Sequence, residues 1–125
     1  MNRLIIAAAW LFASISTQAA LTVDGYRDMQ AKHGEDNEVL EIQVGMYVDG
    51  LLDGLFMISR DLPEEKRGWC IPDDEEITLD LALELFKEEL SVRNAEYTEF
   101  SELGIQVPFS LVMVDALQRH YPCKS

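Results

Sequence analysis

Basic residues are scarce in this chain of 125 residues, where 10 Lys and Arg face 23 Asp and Glu and the formal net charge is −13. This imbalance argues against nucleic acid as a partner, because its phosphates would be repelled. It argues equally against binding to an anionic membrane surface. A basic protein partner fits better, since opposite electrostatic fields speed and orient encounter.

The usual combinations of catalytic residues are also missing. The two histidines, His33 and His120, are far apart in the sequence. There is no nucleophile-elbow serine, no glycine-rich phosphate loop and no zinc signature. These absences disfavour an enzyme, and we expect no metal and no cofactor. One alternative stays open, because Asp49 and Asp53 at one-turn spacing could form an acid/base pair or a metal clamp. A solvated helix edge is the simpler interpretation.

No stretch shows the apolar alternation of a β-strand, whereas helical spacing recurs through most of the chain. The sequence therefore predicts an all-α fold: a small single-domain bundle of four to five helices with one disulfide. The predicted helices cover residues 22–33, 38–60 and 78–91, a short turn at 95–103, and a last helix that begins near Pro108.

The first nineteen residues have the pattern of a secretory signal peptide. Arg3 precedes an apolar run, and small residues follow at Thr17 and Ala19. We expect cleavage near Ala19, a mature domain over residues 20–125 and a periplasmic location. The removed segment contains no acidic residue, so the mature chain is more acidic still. No other stretch looks long and apolar enough to span a membrane.

Cys70 and Cys123 are the only two cysteines. An even count in an exported domain favours one disulfide. Two free thiols or a metal site are the alternatives, but two cysteines without a nearby histidine pair make a poor zinc site. A disulfide closing so long a loop would stabilise the fold by roughly 4 kcal/mol on the chain-entropy estimate.

The segment 38–60 has the longest helical period, with a stripe predicted to be buried at Leu40, Val44, Val48, Leu51, Leu55 and Ile58. Gly50 and Gly54 are one turn apart and leave the same strip of backbone bare. We expect another helix to approach closely there, with Asp53 beside the contact. The connection after this helix contains Trp69, which is either a partner anchor or packed over the disulfide.

Four sequence pieces together resemble a known family. They are Tyr47-Val-Asp-Gly-Leu-Leu-Asp-Gly54, Trp69-Cys70-Ile71-Pro72, the helix capped by Thr78, and Asp115-Ala116-Leu117 leading to Tyr121-Pro122-Cys123. The set, over residues 40–123, is similar to the Rap1a/Tai family of immunity proteins. The resemblance implies an exported all-α domain with paired cysteines. It also implies a periplasmic immunity protein that binds and occludes a peptidoglycan amidase effector of a type VI secretion system, and a homodimer.

Residues 92–107 depart from the family pattern and look like an insertion. This makes Tyr97, Glu99, Phe100 and Glu102 candidates for a partner-binding surface particular to this chain, unless the two aromatic rings fold back onto the core. A second candidate function is that of a periplasmic helical chaperone or stress protein without a toxin partner. Such a protein would expose apolar surface when acid neutralises its carboxylates.

Overall fold

The computed structural model describes residues 21–34 and 37–124. Within these ranges the chain forms five α-helices: α1 (Val23–His33), α2 (Glu38–Arg60), α3 (Leu79–Val92), α4 (Asn94–Glu102) and α5 (Phe109–His120), with a 3₁₀ turn at Glu64–Lys66. No strand occurs in the described residues, so the predicted all-α class is confirmed. The predicted signal peptide at residues 1–19 lies outside the described residues.

Side-chain caps set where three of the helices begin. Thr22 Oγ1 accepts from the Gly25 N–H at 3.0 Å, Asn37 Oδ1 from the Val39 N–H at 2.9 Å, and Thr78 Oγ1 from the Leu81 N–H at 3.3 Å.

The start of α1 is held against the start of α5. The Val23 N–H donates to the Val107 carbonyl at 2.9 Å, and the Phe109 N–H donates to the Leu21 carbonyl at 2.8 Å. These two bonds anchor the first described residues to the segment that leads into α5.

The core is centred on aromatic rings from four helices. Phe86 stacks on Phe109 with centroids 3.7 Å apart, while Tyr26 and Tyr47 meet this pair edge-on. Such offset and edge-to-face contacts are the preferred geometries of aromatic pairs. Helices α3 and α5 form the most extensive helix pair, and α2 packs across α3.

The face of α2 that points into this core differs from the predicted stripe. Leu40, Val44 and Val48 are buried as predicted, but Leu52 is buried too and Ile58 is 69% exposed. The last turn of α2 extends past the hydrophobic core, so Ile58 is not covered by core residues. By length and composition alone α2 could cross a membrane, with 22% of its apolar segment buried. The expectation that no stretch after residues 1–19 is long and apolar enough to span a membrane is therefore wrong.

Candidate interaction surfaces

The cysteines form a disulfide-linked corner between the connection after α2 and the end of α5. Cys70 and Cys123 are bonded, which confirms the predicted pairing, and the Cys70 N–H donates to the Tyr121 carbonyl at 2.8 Å. Burial, followed by a hydrogen bond to Glu75, raises the pKa of the Tyr121 hydroxyl. Trp69 is half-buried and packs against the core, which favours a packing role over a partner anchor. The corner thus fixes the acidic connection that precedes α3.

Helix α4 places the four candidate residues of the 92–107 segment in different environments. Tyr97 is 2% exposed, so its proposed role as a partner contact is corrected: the ring packs into the core. Phe100, three residues on, is half-buried against the same core. Only Glu99 and Glu102 are exposed. The segment is therefore a core-packing helix with an acidic outer edge.

A charged cluster that was not predicted from the sequence joins α3, α4 and α5. Arg93 donates through Nε and Nη2 to both oxygens of Glu96, at 2.8 and 2.6 Å, and through Nη1 to Asp115 at 2.5 Å. Hydrogen bonds from Arg93 lower the pKa of Glu96. This bidentate geometry is the strong form of an ion pair. It locks the short helix α4 onto α5 through Asp115, a residue of the resemblance motif.

Glu89 is the one charged residue buried within the described part of the chain, at 1% exposure. Its Oε1 accepts from Arg119 at 3.2 Å and lies 3.8 Å from Arg93. Its Oε2 and the Tyr97 hydroxyl have no hydrogen-bond partner among the described residues. Burial raises the pKa of the Tyr97 hydroxyl. Helical spacing could have revealed Glu89, since it follows Ala82, Leu85 and Phe86 on the buried face.

Asp49 and Asp53 are both exposed on α2 and line a groove of about 480 Å³. The segment before α3 supplies more carboxylates to this groove, from Asp73, Glu75 and Glu76. Within the described residues no three or more His, Cys, Asp or Glu side chains come close enough together to hold a metal ion. The aspartate pair is therefore given no third ligand by any residue that the structure describes.

The exposed side of α2 carries large hydrophobic side chains next to the exposed Asp49 and Asp53. Large hydrophobic side chains there are 54–73% exposed: Val39, Ile42, Met46, Met57 and Ile58. Exposed apolar stretches of this kind mark interaction sites in soluble proteins. Val39, Ile42 and Met46, at steps of three and four, form a second apolar stripe. It is visible in the sequence but differs from the stripe that was predicted to be buried. We call this face the outer face of α2.

The glycines of α2 do not act as predicted within one chain. A Cβ added to Gly50 or Gly54 would meet no atom within 4 Å, so no described helix crosses there and the expected close approach is wrong. The close approach occurs at buried Gly45 instead, where a Cβ would lie 3.2 Å from Leu79 Cδ2. The two exposed glycines belong to the outer face of α2.

A larger groove of about 760 Å³ lies between α1, α2 and α3. Its floor includes the buried residues Tyr26, Leu40 and Val44, and α3 contributes the half-buried Leu79 and Leu83. Its exposed rim carries four carboxylates, from Glu41, Asp80, Glu84 and Glu88, against the single ammonium of Lys87. We call this the α2–α3 groove.

Comparisons of the chain with family models, with curated proteins and with solved structures find no match.

Proposed function

We propose that this protein is a periplasmic immunity protein, which binds and occludes a peptidoglycan amidase effector of a type VI secretion system. In this proposal residues 1–19 direct export, the mature domain carries out no catalysis, and protection comes from covering the active site of the effector.

The observation that carries the proposal is the disulfide-linked corner. Two of the motifs behind the family resemblance, Trp69-Cys70-Ile71-Pro72 and Tyr121-Pro122-Cys123, are far apart in sequence but are bonded to each other through sulfur and backbone. A disulfide also suits an oxidising compartment. The two motifs are therefore parts of one structural unit.

Charge supports the choice of partner. A cell-wall hydrolase that works on an anionic envelope benefits from a basic surface, and a strongly acidic inhibitor is steered towards such a surface. The formal net charge of the chain is −13, and exposed carboxylates lie on the two grooves described above and on the outer edge of α4. These exposed carboxylates are available for long-range attraction.

The outer face of α2 is the surface we propose for a homodimer. Gly50 and Gly54 leave the backbone bare within an apolar stripe, so a second helix can approach closely. In an antiparallel pair centred on Gly50, Met46 of one copy lies level with Gly54 of the other, because both are four residues from the centre. The large Met46 side chain of one copy therefore faces a glycine of the other, which favours interdigitated packing of the two helices.

The immunity role is tested by a hydrolysis assay. The mature, oxidised protein is titrated into each purified periplasmic hydrolase encoded beside it, and release of peptides from peptidoglycan is followed. We expect one hydrolase to be silenced at about equimolar protein, as occlusion predicts. A Glu99→Gln/Glu102→Gln variant tests whether the edge of α4 contributes to the contact. If no adjacent hydrolase is inhibited, the proposal fails.

The exposed apolar face favours one second candidate, a periplasmic chaperone without a toxin partner. Such a protein would bind unfolded clients through the outer face of α2, more strongly in acid as carboxylates lose their charge. Light scattering of an aggregating client at acidic pH tests it, with Met46→Ser as the variant. Full client aggregation together with a retained native fold in acid would rule the chaperone out.

A further inference from the structure

The α2–α3 groove has the shape and lining of a helix-binding site. Its floor is apolar, formed by Leu40 and Val44 of α2 and by Leu79 and Leu83 of α3. The groove runs along α3 from Leu79 to Glu88, about 14 Å at the rise of an α-helix. This length suits two to three turns of a partner helix, the arrangement in which an amphipathic helix lays its apolar side into a groove.

The wall formed by α1 is fixed before any partner arrives. Tyr26 lies edge-on to Phe86 with centroids 5.1 Å apart, and its hydroxyl accepts from Gln30 Nε2 at 2.9 Å. A wall held by the central aromatic cluster needs little ordering on binding, and such preorganisation reduces the entropic cost of association.

The rim selects the charge of the occupant. Asp80, Glu84 and Glu88 recur at four-residue steps along α3, parallel to the apolar pair Leu79 and Leu83. Glu41 of α2 adds a fourth carboxylate. Because successive turns of a helix repeat at this step, a partner helix with one apolar row and one basic row would place a cation near each carboxylate.

We propose that the α2–α3 groove binds a cationic amphipathic helix of a partner protein, with its leucine-like side chains on the apolar floor and its Lys or Arg side chains along the rim. The proposal deepens the immunity role, on which it rests for the identity of the partner. The groove and its charge are properties of this chain alone, so the binding can be tested without the effector.

The probe is a synthetic 15-residue peptide of leucine and lysine, with the leucines at helical spacing, titrated by fluorescence anisotropy into the mature, oxidised protein. Asp80→Asn/Glu84→Gln should weaken binding about three- to tenfold, as expected for two partly exposed ion pairs. The matched control is Glu64→Gln/Glu65→Gln, which removes the same charge from the exposed 3₁₀ turn outside this groove. It should change the affinity less than about twofold.

The floor is tested separately from the charge. Leu83→Asn should weaken binding about tenfold through lost apolar burial, while circular dichroism verifies that the half-exposed site still folds. A peptide of the same composition with scrambled order should bind weakly, because it forms no apolar row. A leucine–glutamate peptide should not bind.

Three results would overturn the proposal. Equal losses in the rim variant and the matched control would show charge attraction without a site. Equal binding of the scrambled peptide would show that no helix is recognised. Suppose that the protein binds zwitterionic vesicles, that Leu83→Asn abolishes this binding, and that no peptide binds. This result would assign the groove to lipid. Failure of effector inhibition with the peptide result intact would instead reject only the proposed effector, so the two failures are distinguishable.

Discussion

Replacing Gly50 with alanine should stabilise the protein, although the same residue looks from sequence like a site that tolerates no side chain. Gly50 lies in the interior of α2, and a Cβ there meets no atom within 4 Å. Glycine in a helix interior costs about 0.5–1 kcal/mol relative to alanine. No packing penalty offsets this gain, so Gly50→Ala should raise the melting temperature by about 4–8 °C per kcal/mol gained.

The assay is thermal unfolding followed by circular dichroism, at a concentration where light scattering finds only monomer. Gly34→Ala is the matched control, because a Cβ at Gly34 also meets nothing within 4 Å but its backbone has φ of +81°. With ψ of 160°, this is a conformation that glycine alone adopts readily and that costs alanine about 1–3 kcal/mol, so this variant should melt at a lower temperature. A lower melting temperature for monomeric Gly50→Ala would refute the open geometry of α2.

Four further outcomes follow from the structure. Cys70→Ser should lower the free energy of unfolding by about 4 kcal/mol on the chain-entropy estimate, measured in urea, and an unchanged midpoint would contradict a stabilising bond. Glu89→Ala should lower the free energy of unfolding by about 2–3 kcal/mol in the same assay. This is less than the loss on breaking a fully buried ion pair, because the arginine partners of Glu89 reach solvent. Because Arg93 lowers the folded-state pKa of Glu96, that pair stabilises the fold above the ordinary carboxyl range and ceases to do so as the pH falls through the lowered value. Glu96→Gln should therefore melt below wild type at neutral pH and approach it in acid; a constant gap would contradict this. Met46→Asp should convert the proposed dimer into monomer in light scattering, with an unchanged melting temperature at concentrations where the wild type is also monomeric. A wild type that is monomeric at high concentration would exclude the homodimer.

Most of the fold follows from local signals in the sequence. The helix ends lie within about two residues of the predicted ones, because the caps Thr22 and Thr78 and the positive-φ glycines Gly34 and Gly104 act on the chain nearest to them. The buried residues of α5 recur at helical spacing: Phe109, Val112, Met113, Ala116 and Leu117. The cysteine pair followed from the count alone.

The surfaces could not be predicted in the same way, because they depend on how far one helix extends past another. Helix α2 carries apolar residues on two faces, and only tertiary packing decides that Val44 is buried while Met46 is exposed. The same ambiguity misplaced the close contact at Gly50 when it occurs at Gly45. Tyr97 was predicted as a candidate partner contact but is buried, because an aromatic ring in a polar segment is equally compatible with a partner contact and with a place in the core.

The α2–α3 groove is also a product of assembly. Its rim on α3 appears in the sequence as the ordinary wet side of an amphipathic helix. Only when α2 lies across the start of α3 does Glu41 come to face Asp80 and Glu84 over a shared apolar floor. A sequence pattern records each helix by itself, whereas a site between helices depends on their relative placement.

The proposed immunity role is tested most directly by titrating the oxidised domain of residues 20–125 against each hydrolase encoded in adjacent genes, with peptidoglycan cleavage as the signal. We expect cleavage by one such hydrolase to fall to background at about one protein per hydrolase, and the complex to survive gel filtration. Undiminished cleavage in the presence of excess folded protein, with every adjacent hydrolase tried, would contradict the immunity role.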